Sequence, residues 1–195
     1  MGQTLKATDA QVLDRTFDLI WRRGCDAVSI RDLEVALNLR APSIYRRFHS
    51  RDQLLAAAID RYVERVVRHR IRLYLVDAAD PLDGVRQFYL SNTEQQFQSL
   101  ARRGCLLAST SQQTAFEAPV VREAVTRGFD EMESALVRAL DQAAAQGHRF
   151  PFPTDELAGA LIQSYTGLLV LMRSGRGGLD ATMTVTLDAL LGQPD

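Results

Sequence analysis

The sequence predicts an all-α fold of about nine helices. In it, a small N-terminal helix-turn-helix head of three helices continues through a long fourth helix into a C-terminal helical bundle. Apolar residues recur at helical spacing along most of the 195 residues, without a sustained alternating segment of the kind that forms a strand. Ser, Thr and Asp precede these segments, and Gly or Pro interrupts them, as helix caps and breakers do.

The predicted head contains three short helices. The first ends at Gly24, and Ser29 opens a second helix that breaks at Asn38. A third spans about residues 41–48, and Ser50 begins a fourth helix that reaches roughly to residue 75. We expect a DNA-binding domain over residues 1–52 and a ligand-binding and dimerisation domain over residues 53–195.

The remaining helices are expected to form the bundle. Asp80 and Pro81 begin the fifth helix, because Asp caps well and Pro suits the first helical position. This helix is expected to pass Phe97 and end near residue 103. The sixth and seventh cover about residues 104–113 and 119–146, Thr154 caps the eighth, and the ninth covers about residues 180–191.

Composition places the chain among ordinary globular proteins. It is 46% hydrophobic and 24% charged, and no apolar run is long enough to span a bilayer. No signal peptide is visible, and two cysteines are too few for a disulfide scaffold. We therefore expect a reduced, cytoplasmic protein without a membrane partner.

Charge is unevenly divided along the chain. Residues 1–75 contain 14 Lys and Arg against 9 Asp and Glu, whereas residues 76–195 contain 9 against 15. The formal net charge of −1 therefore averages a basic head and an acidic body. This division suggests two different partners, although chance variation on a solvated surface is an alternative.

Residues 29–48 have the arrangement that places a short helix in the major groove of DNA. Arg matches guanine through paired donors, and Ser and Tyr suit phosphates. The start of the next helix at Ser50 offers backbone N–H groups to a phosphate, with Arg51 beside it. An ordinary three-helix bundle is the alternative interpretation.

Three motifs carry a family resemblance: Ser-Ile-Arg-Asp-Leu at 29–33, Ala-Leu-Asn-Leu-Arg-Ala-Pro-Ser-Ile-Tyr-Arg-Arg-Phe at 36–48, and Ser-Arg-Asp-Gln-Leu-Leu at 50–55. Together they resemble the DNA-binding domain of the tetracycline-repressor (TetR) family of transcriptional regulators. Four residues depart from the family pattern: Asn38 for Gly, Arg40 for Ser or Thr, Pro42 for Gly, and Arg47 for His. These changes are compatible with the fold, but they obscure the DNA target.

The resemblance implies a homodimer that binds a pseudo-palindromic double-stranded DNA operator, most often as a repressor. Base or phosphate contacts are implied for Arg40, Ala41, Pro42, Ser43, Tyr45 and Arg46. Phosphate contacts are implied for Ser29, Arg31, Arg47, His49, Ser50 and Arg51. Dimerisation is expected through the last two helices, because the eighth is apolar on more than one face.

The resemblance also implies a small organic effector, since the fifth to eighth helices of this family surround a ligand cavity. The sequence does not identify the effector. For the aromatic candidates, packing in an ordinary core is the alternative. The candidate lining residues are Phe88, Tyr89, Phe97, Cys105, Thr110, Phe116, Met132, Tyr165 and Leu169.

Catalytic, cofactor and metal sites are not predicted. The three histidines lie far apart and lack the spacing of metal ligands. A cysteine-dependent enzyme or redox sensor using Cys105 is an alternative, but no histidine is placed by sequence to serve as its base. A helical scaffold for protein partners is a second alternative. Neither accounts for residues 40–48.

Overall fold

The computed structural model describes residues 7–92 and 103–192, and within these ranges the chain is helical, without strands. The all-α prediction is confirmed. Helix α4 begins as Arg51–Tyr62 and continues without a break to Val76. Within it, Val63–Val67 and Arg72–Val76 are π-helical, and Arg68–Ile71 between them is α-helical. The other helices are α1 (Asp9–Arg23), α2 (Ile30–Leu37), α3 (Ala41–Phe48), α5 (Pro81–Leu90), α6 (Leu106–Thr110), α7 (Pro119–Ala145), α8 (Thr154–Arg173) and α9 (Leu179–Leu191).

The chain forms two compact units. Unit one contains residues 1–65 and 109–128, and unit two contains residues 66–108 and 129–195. The boundaries between the two units therefore fall within three helices, after residue 65 in α4, after residue 108 in α6 and after residue 128 in α7. The functional boundary after residue 52 stays a prediction, whereas the compact units divide the chain at residue 65 and add the 109–128 segment to the head.

The core of unit one lies between α1 and α4. The Trp21 and Tyr62 rings meet edge to face, with their centroids 4.9 Å apart. The fully buried side chains of Leu33 from α2 and Ile44 from α3 extend this core. Outside it, the Arg61 guanidinium donates to Asp14 at 2.7 Å, and this hydrogen bond lowers the pKa of the Asp14 carboxyl.

Helix boundaries in the head follow local chemistry. Thr8 caps α1 in a reciprocal pair of hydrogen bonds with Gln11, and Gly24 ends the helix with a φ of 86°. The Ser50 hydroxyl accepts from the Gln53 backbone N–H at 3.1 Å and so caps α4. The positions of Gly24 and Ser50 agree with the helix boundaries predicted from the sequence.

Unit two is held by its apolar core and by buried polar contacts. Arg86 of α5 donates to Asp188 of α9 at 2.6 Å and to the carbonyl of Gly192. The His148 ring shares a hydrogen bond of 2.8 Å with the Leu191 carbonyl. These contacts connect α5 and the α7–α8 loop to the C-terminal end of α9.

Three predicted boundaries in the bundle differ from the structure. Thr154 does not cap α8, since Pro153 precedes the helix and the Thr154 hydroxyl donates to Asp141 at 2.6 Å. Helix α6 is shorter than predicted, because the chain turns after Thr110 and forms a separate 3-10 helix, Thr114–Glu117. Helix α5 ends at Leu90, and the expected continuation through Phe97 falls outside the described residues.

Within residues 7–92 and 103–192, no helix combines the length and hydrophobicity that crossing a membrane requires.

Helix α5 approaches the second π-helical turn of α4 closely. The Asp77 N–H donates to the Arg72 carbonyl at 2.9 Å, which closes the wide turn. Gly84 lies against this turn. A Cβ at this position would overlap the Tyr74 carbonyl oxygen and lie 2.6 Å from Ala78 Cβ. Glycine is therefore required by space at this contact.

We expect Gly84→Ala to destabilise the protein by about 1–3 kcal/mol, since the backbone of α4 or α5 must move. Gly159→Ala is the control, because its nearest neighbour to a new Cβ is Glu133 Oε1 at 3.9 Å. Alanine favours a helix by about 0.5–1 kcal/mol over glycine, so this control should be neutral or stabilising. Urea unfolding at fixed protein concentration measures both. Equal stability of the two variants would contradict the packing constraint.

Candidate functional site

The turn between α2 and α3 is built by Asn38 and Glu34. Asn38 adopts the left-handed conformation, with φ 52° and ψ 44°, which Asn tolerates better than most residues. Glu34 reaches from α2 to α3, where its carboxylate accepts from the Ala41 backbone N–H at 2.7 Å. Arg40 makes no side-chain cap, so Glu34 supplies the cap that the sequence analysis missed at this position.

Helix α3 has one buried and one exposed face. The side chain of Ile44 is fully buried and anchors the helix in unit one. Pro42, Tyr45 and Arg46, at positions i, i+3 and i+4, form the exposed face, and Tyr45 is 42% exposed. His49, which follows the helix with a φ of 63°, is also exposed. Arg40 is also exposed, at the N-terminal end of the helix, while Ala41, Ser43 and Arg47 are half-buried.

The N-terminus of α2 is fixed by a charged network. The Ser29 hydroxyl accepts from Asp32 N at 3.2 Å, and Asp32 Oδ2 accepts from Ser29 N at 2.9 Å. Arg23 donates to the other oxygen of Asp32 at 2.7 Å. Hydrogen bonds from Ser29 and Arg23 hold the pKa of the Asp32 carboxyl well below its usual range. The predicted contact Ser29 is exposed, as is Arg31 on the first turn.

Two arginines among the predicted phosphate contacts donate to backbone carbonyls inside the head. The Arg51 guanidinium donates to the carbonyls of Cys25 at 2.5 Å and Val28 at 3.1 Å. Arg47 donates to the Ala7 carbonyl at 3.0 Å and lies 3.6 Å from Asp9. Their side chains therefore support the head from within, and their contact with DNA stays a prediction, as it does for half-buried Ser50.

Three of the predicted effector-site residues come together in unit two. The Tyr165 ring lies 5.2 Å from Phe88 and 5.4 Å from Tyr89, measured between ring centroids. Burial raises the pKa of both tyrosines, so both stay protonated at neutral pH. The Tyr89 hydroxyl is buried and has no hydrogen-bond partner in the structure as described. A buried donor of this kind suits a ligand acceptor.

Arg70 of α4 contacts this aromatic cluster and was not predicted. Its guanidinium lies 5.1 Å from the Phe88 ring centroid and 5.2 Å from that of Tyr74. It donates to the Phe88 carbonyl at 2.5 Å and to Ser91 Oγ at 3.0 Å. A basic residue in a polar stretch of sequence gives no signal of such a contact, since only the tertiary fold brings α4 and α5 together here.

The other effector-site candidates are distributed more widely. Cys105, Met132 and Leu169 are buried in unit two, whereas Thr110 and Phe116 belong to unit one. Thr110 Oγ1 lies 3.6 Å from Cys25 Sγ, and Phe97 falls outside the described residues. Within the described ranges, no group of three or more potential ligands is placed to hold a metal ion.

We expect Asp32→Asn to lower the melting temperature at pH 7. The Asp32 carboxylate accepts hydrogen bonds from the Ser29 N–H, the Ser29 hydroxyl and Arg23, and a neutral Asn side chain has only one acceptor oxygen. The folded-state pKa is depressed, so the stabilisation is fully present above the unfolded pKa of about 4 and is lost as pH falls through the lower folded value. Circular dichroism between pH 3 and 7 measures the difference. Glu123→Gln, on the exposed surface of α7, is the control. A difference that grows on acidification would contradict this assignment.

Comparison with known proteins assigns both parts of the chain. Residues 12–58 match the family described as bacterial regulatory proteins, tetR family. Residues 81–177 match the family described as tetracyclin repressor-like, C-terminal domain. The HTH-type transcriptional repressor ComR of Escherichia coli (strain K12) is 35% identical over 63 residues, which are 32% of this chain and 30% of ComR.

Solved structures resemble the chain over nearly its whole length. The TetR family transcriptional regulator CifR, as a cysteine mutant with a 26-base-pair operator, is 25% identical, with a TM-score of 0.81 over 96% of this chain and 99% of that one. A TetR transcriptional regulator from Chloroflexus aurantiacus J-10-FL is also 25% identical, with a TM-score of 0.76 over 93% and 92%. The chain belongs to the TetR family of bacterial transcriptional regulators.

Proposed function

We propose that the protein is a homodimeric repressor that binds a pseudo-palindromic DNA operator through α3 and responds to a small organic effector. The observation that carries operator binding is the exposed face of α3. It presents Tyr45 and Arg46 together, while Ile44 and the Glu34 cap hold the helix from behind. A helix held in this way suits the major groove. The operator in the CifR structure supports the proposal.

The roles of the side chains follow from their positions. Arg46 supplies paired donors to a base edge, and Tyr45 a hydroxyl to a phosphate. Arg40, at the N-terminal end of α3, reaches the groove because Glu34 performs the capping. The remaining phosphate contacts in the proposal are Ser29, Arg31, His49, Ser50 and, in addition to their contacts within the head, Arg47 and Arg51.

Dimerisation is proposed through α8 and α9. These helices carry exposed apolar side chains, and that of Val185 on α9 is 69% exposed. Val170 and Leu171 on α8 are also exposed. Apolar side chains left in water on two neighbouring helices are a feature of protein interfaces. A two-fold dimer would present two α3 helices to half-sites about 34–36 Å apart.

The effector is proposed to bind unit two beside Phe88, Tyr89 and Tyr165. Aromatic rings and one buried donor suit a small, largely apolar molecule with a hydrogen-bond acceptor. Such a ligand changes operator binding only if it prefers one of two states of the protein. Helix α4 is the proposed route, since it runs from residue 51 in unit one to residue 76 in unit two.

We expect Arg46→Ala to weaken operator binding by roughly 5- to 150-fold, the equivalent of about 1–3 kcal/mol for a lost bidentate base contact. The melting temperature should stay unchanged, because the side chain is exposed. A gel-shift titration with the DNA upstream of the protein's own gene measures the affinity. Arg138→Ala, an exposed arginine on α7, controls for the loss of positive charge. Equal effects of both substitutions would exclude α3 as the reading helix.

We expect Val185→Asp to weaken the dimer at least tenfold, because a two-fold interface buries both new carboxylates without partners. Val35→Asp is a matched control, since Val35 on α2 is 83% exposed and lies in unit one. Sedimentation velocity across a dilution series measures the dissociation of each variant. A Val185→Asp dimer as stable as the wild type would place the interface elsewhere.

A further inference from the structure

The 109–128 segment is a part of the C-terminal chain that folds with the helix-turn-helix head. It holds the end of α6, the 3-10 helix Thr114–Glu117 and the start of α7. Both ends of the segment continue directly into unit two, at residues 108 and 129. Helices α6 and α7 are therefore each divided between unit two and the head.

Asp26, in the α1–α2 turn (residues 24–28), holds this segment. Its carboxylate accepts from the backbone N–H of Thr114 at 2.7 Å and of Ala115 at 2.9 Å. These are N–H groups at the start of the 3-10 helix, where no intrahelical acceptor is available. In return, the Asp26 N–H donates to Gln113 Oε1 at 3.1 Å. The three hydrogen bonds form a reciprocal cap between residues nearly 90 positions apart; we call it the Asp26 cap.

Neighbouring contacts keep the Asp26 cap in register. Gln113 Nε2 donates to the Ser109 carbonyl at 2.8 Å, which orients the side-chain oxygen that Asp26 uses. Gly24 lies so close that a Cβ there would be 3.0 Å from the same oxygen. Next to Gly24 in the chain, the buried Cys25 places its Sγ 3.6 Å from Oγ1 of the buried Thr110. The turn is thus matched to the segment by both shape and hydrogen bonding.

The α1–α2 turn leads directly into the helix-turn-helix. Ser29 caps α2 only three residues after Asp26. Arg51, at the start of α4, donates to the Cys25 and Val28 carbonyls, and Arg23 donates to the Ala27 carbonyl at 2.9 Å. The backbone of the turn therefore accepts hydrogen bonds from Arg23 of α1 and Arg51 of α4, and the turn is also bonded to the 109–128 segment. A displaced segment would shift the turn and the first residue of α2.

We infer that Asp26 is a positioning residue for operator recognition, and that the 109–128 segment controls the placement of α2 and α3 through it. This route is separate from α4, and its effect on operator affinity rests on the proposed function. With the Asp26 cap formed, α2 starts from a defined position and α3 meets the groove without an ordering cost. With it broken, α2 and α3 sample other positions, and operator binding must reorder them.

The first test uses hydrogen exchange of the free, full-length protein. We expect Asp26→Ala to increase exchange at least fivefold in peptides covering α2 and α3. Asp60→Ala is the matched control. It removes the same charge and a contact with the same segment, since Asp60 accepts from Arg127 at 3.0 Å, but at a distance in sequence from the turn. Exchange in α2 and α3 that rises equally in both variants, or in neither, overturns the inference irrespective of DNA binding.

The second test compares operator with scrambled DNA. We expect Asp26→Ala to weaken operator binding at least fivefold and to leave non-specific binding within twofold, because Asp26 positions α3 without contacting phosphates. If the substitution acted only by removing a negative charge, it would strengthen operator binding and non-specific binding alike. Operator affinity equal to the wild type overturns the inference. A wild type that does not distinguish operator from scrambled DNA refutes the proposed function instead, and the exchange result still decides the placement of α2.

If Asp26→Ala does not fold, Gln113→Ala replaces it in both tests. This substitution removes only the acceptor for the Asp26 N–H and leaves the carboxylate on Thr114 and Ala115. We expect smaller changes in the same directions: exchange in α2 and α3 about twofold faster, and operator binding about twofold weaker. Exchange and operator affinity both equal to those of the wild type would overturn the inference.

Discussion

The packing of α1 against α4 is the interaction on which the DNA-binding head depends. Helices α2 and α3 have eight residues each, and helices of this length are not stable in water by themselves. They are held because Leu33 and Ile44 enter the core that Trp21 and Tyr62 build between the longer helices. Since α4 also continues into unit two, the helix that completes this core also connects the head to the body.

Side-chain chemistry then divides the polar residues of the head into two groups. Glu34, Arg47 and Arg51 satisfy backbone groups within the fold, where lost hydrogen bonds would be costly. Tyr45 and Arg46 remain exposed on the opposite face of α3. A helix supported from within the fold and an exposed polar surface are thereby combined in a motif of about twenty residues. This is the arrangement that a sequence-specific DNA contact requires, since a loosely held helix would pay an ordering cost on binding.

Unit two combines an apolar core with a few buried polar groups. Arg86 donates to Asp188 and Arg70 to Ser91 Oγ within the unit, and the Tyr89 and Tyr165 rings meet edge to face. The Tyr89 hydroxyl is buried without a hydrogen-bond partner in the described structure. Apolar side chains on α8 and α9 face water instead. The unit thus has one buried hydroxyl without a partner in the described structure and exposed apolar side chains on two of its helices.

The sequence by itself determined the all-α class, the helix boundaries of the head and the family, because caps such as Ser29, the left-handed Asn38 and helical periodicity are local properties. The TetR motif is likewise contained in one continuous stretch, residues 29–55. Only the tertiary structure decided that Glu34 caps α3, that Arg51 holds the α1–α2 turn, and that Asp26 caps a helix at residue 114. These contacts join residues from 7 to nearly 90 positions apart. Their partners depend on how the helices pack, which no local pattern of residues specifies.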